Sequence, residues 1–223
     1  MKTIQCILTE LKKVIISPYF VIGVLAYVLM CFTSTAYTDP STRKEFSIFE
    51  MITMLGTEQA QTYEFSAQFV CYRGLGTWVS MFLCIIVAFP FVKVLCDERS
   101  CTEKRYIICR MGKLRYSLSK FLSAIISAAI LCALGYLLYS ATVYIIFPSI
   151  AQFSPEQAEM YDSSYLRNLL EAVIMVMGMS VLPFLVCVFT SNQYLCICVP
   201  FLLNYMLSVA SSKFVLDGTW ELP

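Results

Sequence analysis

Four long stretches without a charged residue organise this chain: Val14–Thr38, Gly74–Val92, Phe121–Pro155 and Ala172–Ser212. A helix needs about 20 apolar residues to cross the hydrocarbon core of a bilayer. The first three runs each hold one such segment, and the fourth is twice that length. Its interior carries the polar tetrapeptide Thr190-Ser191-Asn192-Gln193, which reads as a turn between two helices. The pattern therefore predicts five spans, at about Tyr19–Tyr37, Thr77–Leu95, Phe121–Phe147, Leu169–Phe189 and Tyr194–Ser211. The apolar runs are continuous rather than alternating, which excludes a β-barrel reading. The expected fold is all-α, a polytopic transmembrane helix bundle forming one domain over residues 1–223. A cleaved signal peptide would have an apolar region of about 7–15 residues. The first run is longer and starts late, so an uncleaved span is expected.

The segments between the spans carry their own patterns. Ile4, Ile7, Leu8, Leu11, Val14 and Ile15 recur at helical spacing, with Lys2, Gln5, Thr9, Lys12 and Lys13 mostly on the other side. An apolar stripe with a basic flank over residues 3–16 is the pattern of a helix lying in the membrane interface. The residue before a proline avoids the helical region, so Ser17-Pro18 should break this helix from the first span. Between the second and third spans, Ser100 and Glu103 have the spacing of a capping box. They predict a short, half-apolar helix with Tyr106, Ile107, Arg110 and Met111 on one side, ended by Gly112. A basic segment of this kind could equally be a contact for anionic lipid. In the loop Asp39–Gly76, Phe46, Phe49, Met51, Ile52 and Leu55 predict an amphipathic helix, and Gly74-Leu75-Gly76 a hinge into the second span. Acids in Pro155-Glu156-Gln157-Ala158-Glu159 suit a first helical turn.

Composition sharpens the class. Hydrophobic residues make up 59% and charged residues 14% of the chain, against roughly 45–50% and a quarter in soluble domains. This is an integral membrane composition, and it excludes disorder and a secreted disulfide scaffold. With the N-terminus inside, the cytoplasmic segments hold eleven of the sixteen basic residues. The positive-inside rule therefore places the protein in the cell membrane as a multi-pass chain with a cytoplasmic N-terminus. No histidine is present, which removes Ser-His-Asp and Cys-His nucleophile pairs, an HExxH zinc helix and His-ligated haem. Most of the eleven cysteines sit in apolar runs, among them Cys31, Cys84, Cys132, Cys187, Cys196 and Cys198. They read as small buried hydrophobes, and without CxxC spacing no metal site is expected. Cys71 is the one cysteine placed clearly outside. No carboxylate falls at mid-membrane, which argues against an ion-coupled transporter. Pro90, Pro183 and Pro200 lie within spans and favour kinks. Ser123, Ala124, Ser127 and Ala128 form small-xxx-small pairs for close packing, and Asn204 reads as interhelical glue.

Several of these segments together resemble the permease subunits of type-2 ATP-binding-cassette (ABC) exporters. Glu10-Leu11-Lys12-Lys13 followed by Ser17-Pro18-Tyr19-Phe20 is similar to that family's interfacial helix and its entry into the first span. Glu98-Arg99 with Thr102 is similar to its Glu-Arg-x-x-Gly-Thr start of the coupling helix, with Cys101 where the family has glycine. Arg110-Met111-Gly112 and Tyr116 through Lys120 are similar to the turn and the Tyr-x-x-x-Lys that lead into the third span. The family normally has six spans, where five are readable here. The resemblance implies a transport subunit rather than an enzyme, moving a lipid, peptide or drug-like substrate. It implies a cassette ATPase on a separate chain, which holds the ATP and Mg, and a second permease as homo- or heterodimer partner. No cofactor, catalytic residue or metal is implied in this chain, which has no Walker A site. Membrane lipids are expected partners and nucleic acid is not. The residues expected to contact the ATPase are Glu98, Arg99, Thr102, Arg105, Tyr106, Ile107, Arg110 and Met111. Those of the interfacial helix are Ile4, Ile7, Leu8, Leu11, Lys12 and Lys13. Two other classes stand beside this expectation: a non-transport multispan scaffold or immunity-type protein, and an intramembrane enzyme. The second is disfavoured by the absent histidine and paired intramembrane Asp.

Overall fold

The computed structural model describes residues 2–38, 44–55, 63–100, 109, 112–148, 155–190 and 192–216. Among them the chain is mostly helical. The helices are α1 (Lys2–Ile16), α2 (Pro18–Phe32), α3 (Ile48–Met54), α4 (Ala67–Arg73), α5 (Thr77–Ser100), α6 (Lys113–Ile146), α7 (Pro155–Phe189) and α8 (Gln193–Leu216). Two strands, β1 (Thr35–Thr38) and β2 (Glu45–Ser47), form an antiparallel hairpin. In α5, α6, α7 and α8 there are stretches long and apolar enough to cross a membrane: Val79–Glu98, Lys113–Ile146, Tyr165–Phe189 and Gln193–Ala210. The multispan helical class read from composition is therefore present in the fold.

The helices α1 and α2 meet at a bend of 63°. Its local cause is visible. Ser17 is extended with Pro18 at the first position of α2, where a missing N–H leaves no helical bond unmade. The Ser17 hydroxyl turns back to donate to the Val14 carbonyl at 2.7 Å.

The expected first span, Tyr19–Tyr37, is shorter than its uncharged run. Helix α2 stops at Phe32 after 15 residues, about 22 Å at 1.5 Å per residue. Three hydroxyl residues stand at this point. Thr33 and Ser34 donate their side-chain hydroxyls to the Met30 and Cys31 carbonyls at 2.8 Å each, closing the helix end. The chain then enters β1, a conformation that β-branched threonines favour. Tyr37 pairs with Phe46 across the hairpin, their rings stacked at 5.9 Å, and packs against Phe65 at 5.3 Å. The charge-free run thus ends in a small β-hairpin rather than in more helix.

Below the hairpin, Ser47 and Glu50 form a capping box that starts α3. Ile48 and Met51 are fully buried while Phe49 is exposed, so only part of the apolar set read for this segment faces the core. Helix α4 packs against α6 and α7. It is held by the Tyr139 hydroxyl donating to the Val70 carbonyl at 2.8 Å and by the Ala67 N–H donating to the Pro148 carbonyl at 2.9 Å. Gly74 follows directly beneath the Tyr139 ring, and any Cβ there would overlap it. Gly74 is thus a close-packing position as well as the exit toward α5.

The core sits between α2, α5 and α6, with Tyr27, Leu131, Tyr136 and Tyr139 almost wholly buried. The small residues Ser123, Ala124, Ser127 and Ala128 are all buried on α6. The serines donate back to the Lys120 and Ala124 carbonyls, which removes their polar groups from the interface. Pro90, Pro183 and Pro200 each lie inside a helix. Helices α7 and α8 end and begin around Thr190–Gln193, and α8 packs on α5 and α7 with most of its apolar surface exposed.

Candidate functional site

The α1 end of the bundle holds a buried charge cluster. Helix α1 lies along α6, and its packed face carries Glu10 and Val14, each 4% exposed. Opposite them, at the start of the third turn of α6, Lys120 is also 4% exposed. Its ammonium donates to Glu10 and to Glu98, a carboxylate from the last turn of α5. Lys13, one turn beyond Glu10 on α1, donates to the second oxygen of Glu98 at 3.3 Å and stands 3.9 Å from Glu10. Two acids and two bases thus balance. Ionised groups are rarely buried unless paired and hydrogen-bonded, and here every carboxylate has an ammonium. The Lys120 ammonium also lies 5.5 Å from the Tyr116 ring. Beside it the Cys6 thiol donates to the Ser119 hydroxyl at 3.5 Å.

Mechanically, the cluster ties three helices at one point. Glu98 is close to the end of α5 and Lys120 close to the start of α6, so the pair brackets the connection between those helices. Glu10 and Lys13 lock the N-terminal helix onto that same connection.

The sequence-predicted site residues fall into three groups. Glu98 is in the cluster. Arg99 belongs to the helical run of α5, but its side chain, together with Thr102, Arg105, Tyr106, Ile107, Arg110 and Met111, lies outside the described residues. Ser100, read from the sequence as the residue capping a new helix, is instead the last helical residue of α5. Helix α5 is prolonged past Leu95 because Lys93 and Asp97 pair at 3.0 Å in an i,i+4 arrangement and Glu98 is anchored to Lys120. Gly112 adopts φ +84 directly before α6, the left-handed side of backbone space that favours glycine. On α1, Ile7 and Leu11 are half-buried, whereas Ile4, Leu8, Lys12 and Lys13 face outward. The packed face runs through Cys6, Glu10 and Val14, so about half of the apolar stripe remains uncovered by protein.

Glu10 and Lys120 are the functional candidates that periodicity did not single out. A signal existed for each. Glu10 is the only acid in the first 38 residues, in a helix otherwise basic, and Lys120 is the last charge before the long run from Phe121.

At the hairpin end, a cleft of about 360 Å³ opens between α4, α5 and α7. Tyr72, Arg73, Ser80, Asn168 and Glu171 line it with Met175 and other apolar residues. Glu171 pairs with Arg167 at 3.5 Å, and both are well exposed. Cys71, expected as an outer thiol, is buried under α6 and α7. Burial pushes its pKa up to about 12, which leaves it unreactive in neutral solution.

No family model, no curated protein and no solved structure matches this chain.

Proposed function

We propose that this chain is the membrane-spanning permease subunit of an ABC-type exporter, driven by a separate cassette ATPase. One observation carries the reading. The three stretches that resemble the type-2 permeases contribute Glu10, Glu98 and Lys120, and these side chains meet in a single buried cluster. Stretches far apart in sequence thereby build one device around the α5–α6 connection. In the proposed mechanism, Thr102–Met111 docks into a groove on the ATPase. Tyr106, Ile107 and Met111 serve as apolar anchors, Arg105 and Arg110 pair acids at the rim, and Glu98, Arg99 and Thr102 set the start of the docking segment. Closure of the ATPase around ATP pushes this segment, and the charge cluster passes the motion to α1, α5 and α6. Helix α1 lies in the cytoplasmic leaflet with Ile4 and Leu8 toward the acyl chains and Lys12 toward headgroups, while Ile7 and Leu11 are shared with the protein and Lys13 with the charge cluster. The bend of 63° and the exposure of Ile4 and Leu8 support this placement. The largely uncovered α8 supports a second permease or lipid against that face.

The test begins with the neighbouring reading frames, where absence of a cassette ATPase would count against the proposal, and continues with reconstitution of this chain with any such ATPase found there. Changing Tyr106 and Ile107 to Ala should abolish substrate-stimulated ATP hydrolysis while leaving membrane insertion intact. A double mutant that still couples would refute the docking role, and loss of the chain's only interaction on neutralising Lys104, Arg105 and Lys113 would make the segment a lipid contact.

A further inference from the structure

Cys96, Cys187 and Cys196 come from three different helices, α5, α7 and α8, and meet in the interior where the three helices pack. All three are buried, and their sulfur atoms lie within 4.8 Å of one another. The Cys96 and Cys187 sulfurs are 3.8 Å apart. Cys196 Sγ is 3.3 Å from the Thr190 hydroxyl and 3.7 Å from the Thr190 carbonyl oxygen. For a metal–sulfur bond of about 2.3 Å, three sulfurs around one ion stand roughly 3.8–4.0 Å apart, whether the centre is tetrahedral or trigonal. One edge of the triangle already has that length. The others need an adjustment of less than about 1 Å, within the reach of cysteine side-chain rotation.

We propose that these three cysteines form a binding site for a thiophilic d10 metal ion, Zn(II) or Cu(I). Thiolates select such ions, and neither imposes a ligand-field geometry that this triangle would violate. Binding breaks three S–H bonds, forms three metal–sulfur bonds and releases three protons, with no electron transferred. The sequence expectation that no cysteine binds metal rested on spacing along the chain, and this triangle is built from residues 91 and 9 apart. A bound ion would pin the ends of α5, α7 and α8 together at the α7–α8 turn.

Reduced, metal-free protein in detergent is titrated under argon with Zn(II), and separately with Cu(I), each against a chromophoric competing chelator. The expected result is one tightly held equivalent of one of the two ions. That equivalent should be lost in Cys187→Ser and in Cys196→Ser and kept in Cys84→Ser and Cys198→Ser. The two titrations distinguish the metals. X-ray absorption of the loaded wild-type protein should show three sulfur neighbours at about 2.3 Å, a readout that does not depend on any variant folding. Absence of a tight equivalent in the wild type, its retention in both serine variants, or a first shell with fewer than three sulfurs would overturn the proposal.

Discussion

Replacing Lys120 by Met removes the common partner of two carboxylates while keeping most of the side-chain volume. The contributions separate by burial. Lys13 is 45% exposed at its side chain and Glu98 22%, so their pair is worth at most about 1 kcal/mol. Glu10 and Lys120 are each 5% exposed at the side chain. Breaking such a buried pair costs about 3–5 kcal/mol, because the surviving charge is left desolvated. Lys13 at 3.9 Å from Glu10 is too far and too hydrated to replace Lys120. Lys120→Met should therefore lower the thermal midpoint in detergent by about 6–20 °C, from about 2–4 °C per kcal/mol for a chain of this size. The many buried thiols supply the assay, since a thiol-reactive fluorophore reports their exposure as the protein unfolds. Lys13→Met should shift the midpoint by no more than a few degrees. Adding Glu10→Gln to Lys120→Met should recover part of the loss, because the orphaned carboxylate disappears, with a coupling energy of about 1–3 kcal/mol in the double-mutant cycle. If Lys120→Met behaves like Lys13→Met, or if the two changes at 10 and 120 simply add, the cluster is not a buried tie and its part in coupling falls with it.

Gly135→Ala should destabilise the α2–α6 contact by about 1–3 kcal/mol, since the new Cβ would overlap the Tyr27 ring; the same thiol-exposure assay measures it, and a neutral result would mean that Tyr27 is not fixed there. Tyr27→Phe should leave stability unchanged or raise it by up to about 1 kcal/mol, because among the described residues the buried Tyr27 hydroxyl has no hydrogen bond of good geometry, only the Cys31 and Cys132 thiols beside it; a clear loss of stability would assign it a hydrogen bond to one of those thiols. For topology, single cysteines in a cysteine-free background should be labelled from outside intact cells at positions 58 and 159 but not at 104, and labelling at 104 would reverse the proposed orientation.

What sequence alone determined here is what local chemistry can decide. A helix in hydrocarbon must satisfy its own backbone, so charge-free runs and their polar interruptions were enough to find four long apolar helices, though of the five spans expected the first carries a helix of only 15 residues. Proline acts on its immediate neighbours, so the bend at Ser17-Pro18 was legible, and so was the break at Thr190–Gln193. The stop of α2 at Phe32 was harder. Thr33, Ser34 and Thr35 are uncharged and merge with the apolar run, and β1 is completed by non-local partners, β2 along its backbone and Phe46 and Phe65 against Tyr37. The charge cluster lay further out of reach. Glu10, Glu98 and Lys120 fall in three separate segments whose sequences give no sign that the side chains meet, and the energetics of an ion depend on what else is desolvated beside it, not on its sequence neighbours. The same holds for Cys96, Cys187 and Cys196. Each is a small hydrophobe on its own helix, and only the packing of α5, α7 and α8 brings three sulfurs to one point, since distance in space, not spacing along the chain, decides what a metal ion can bridge.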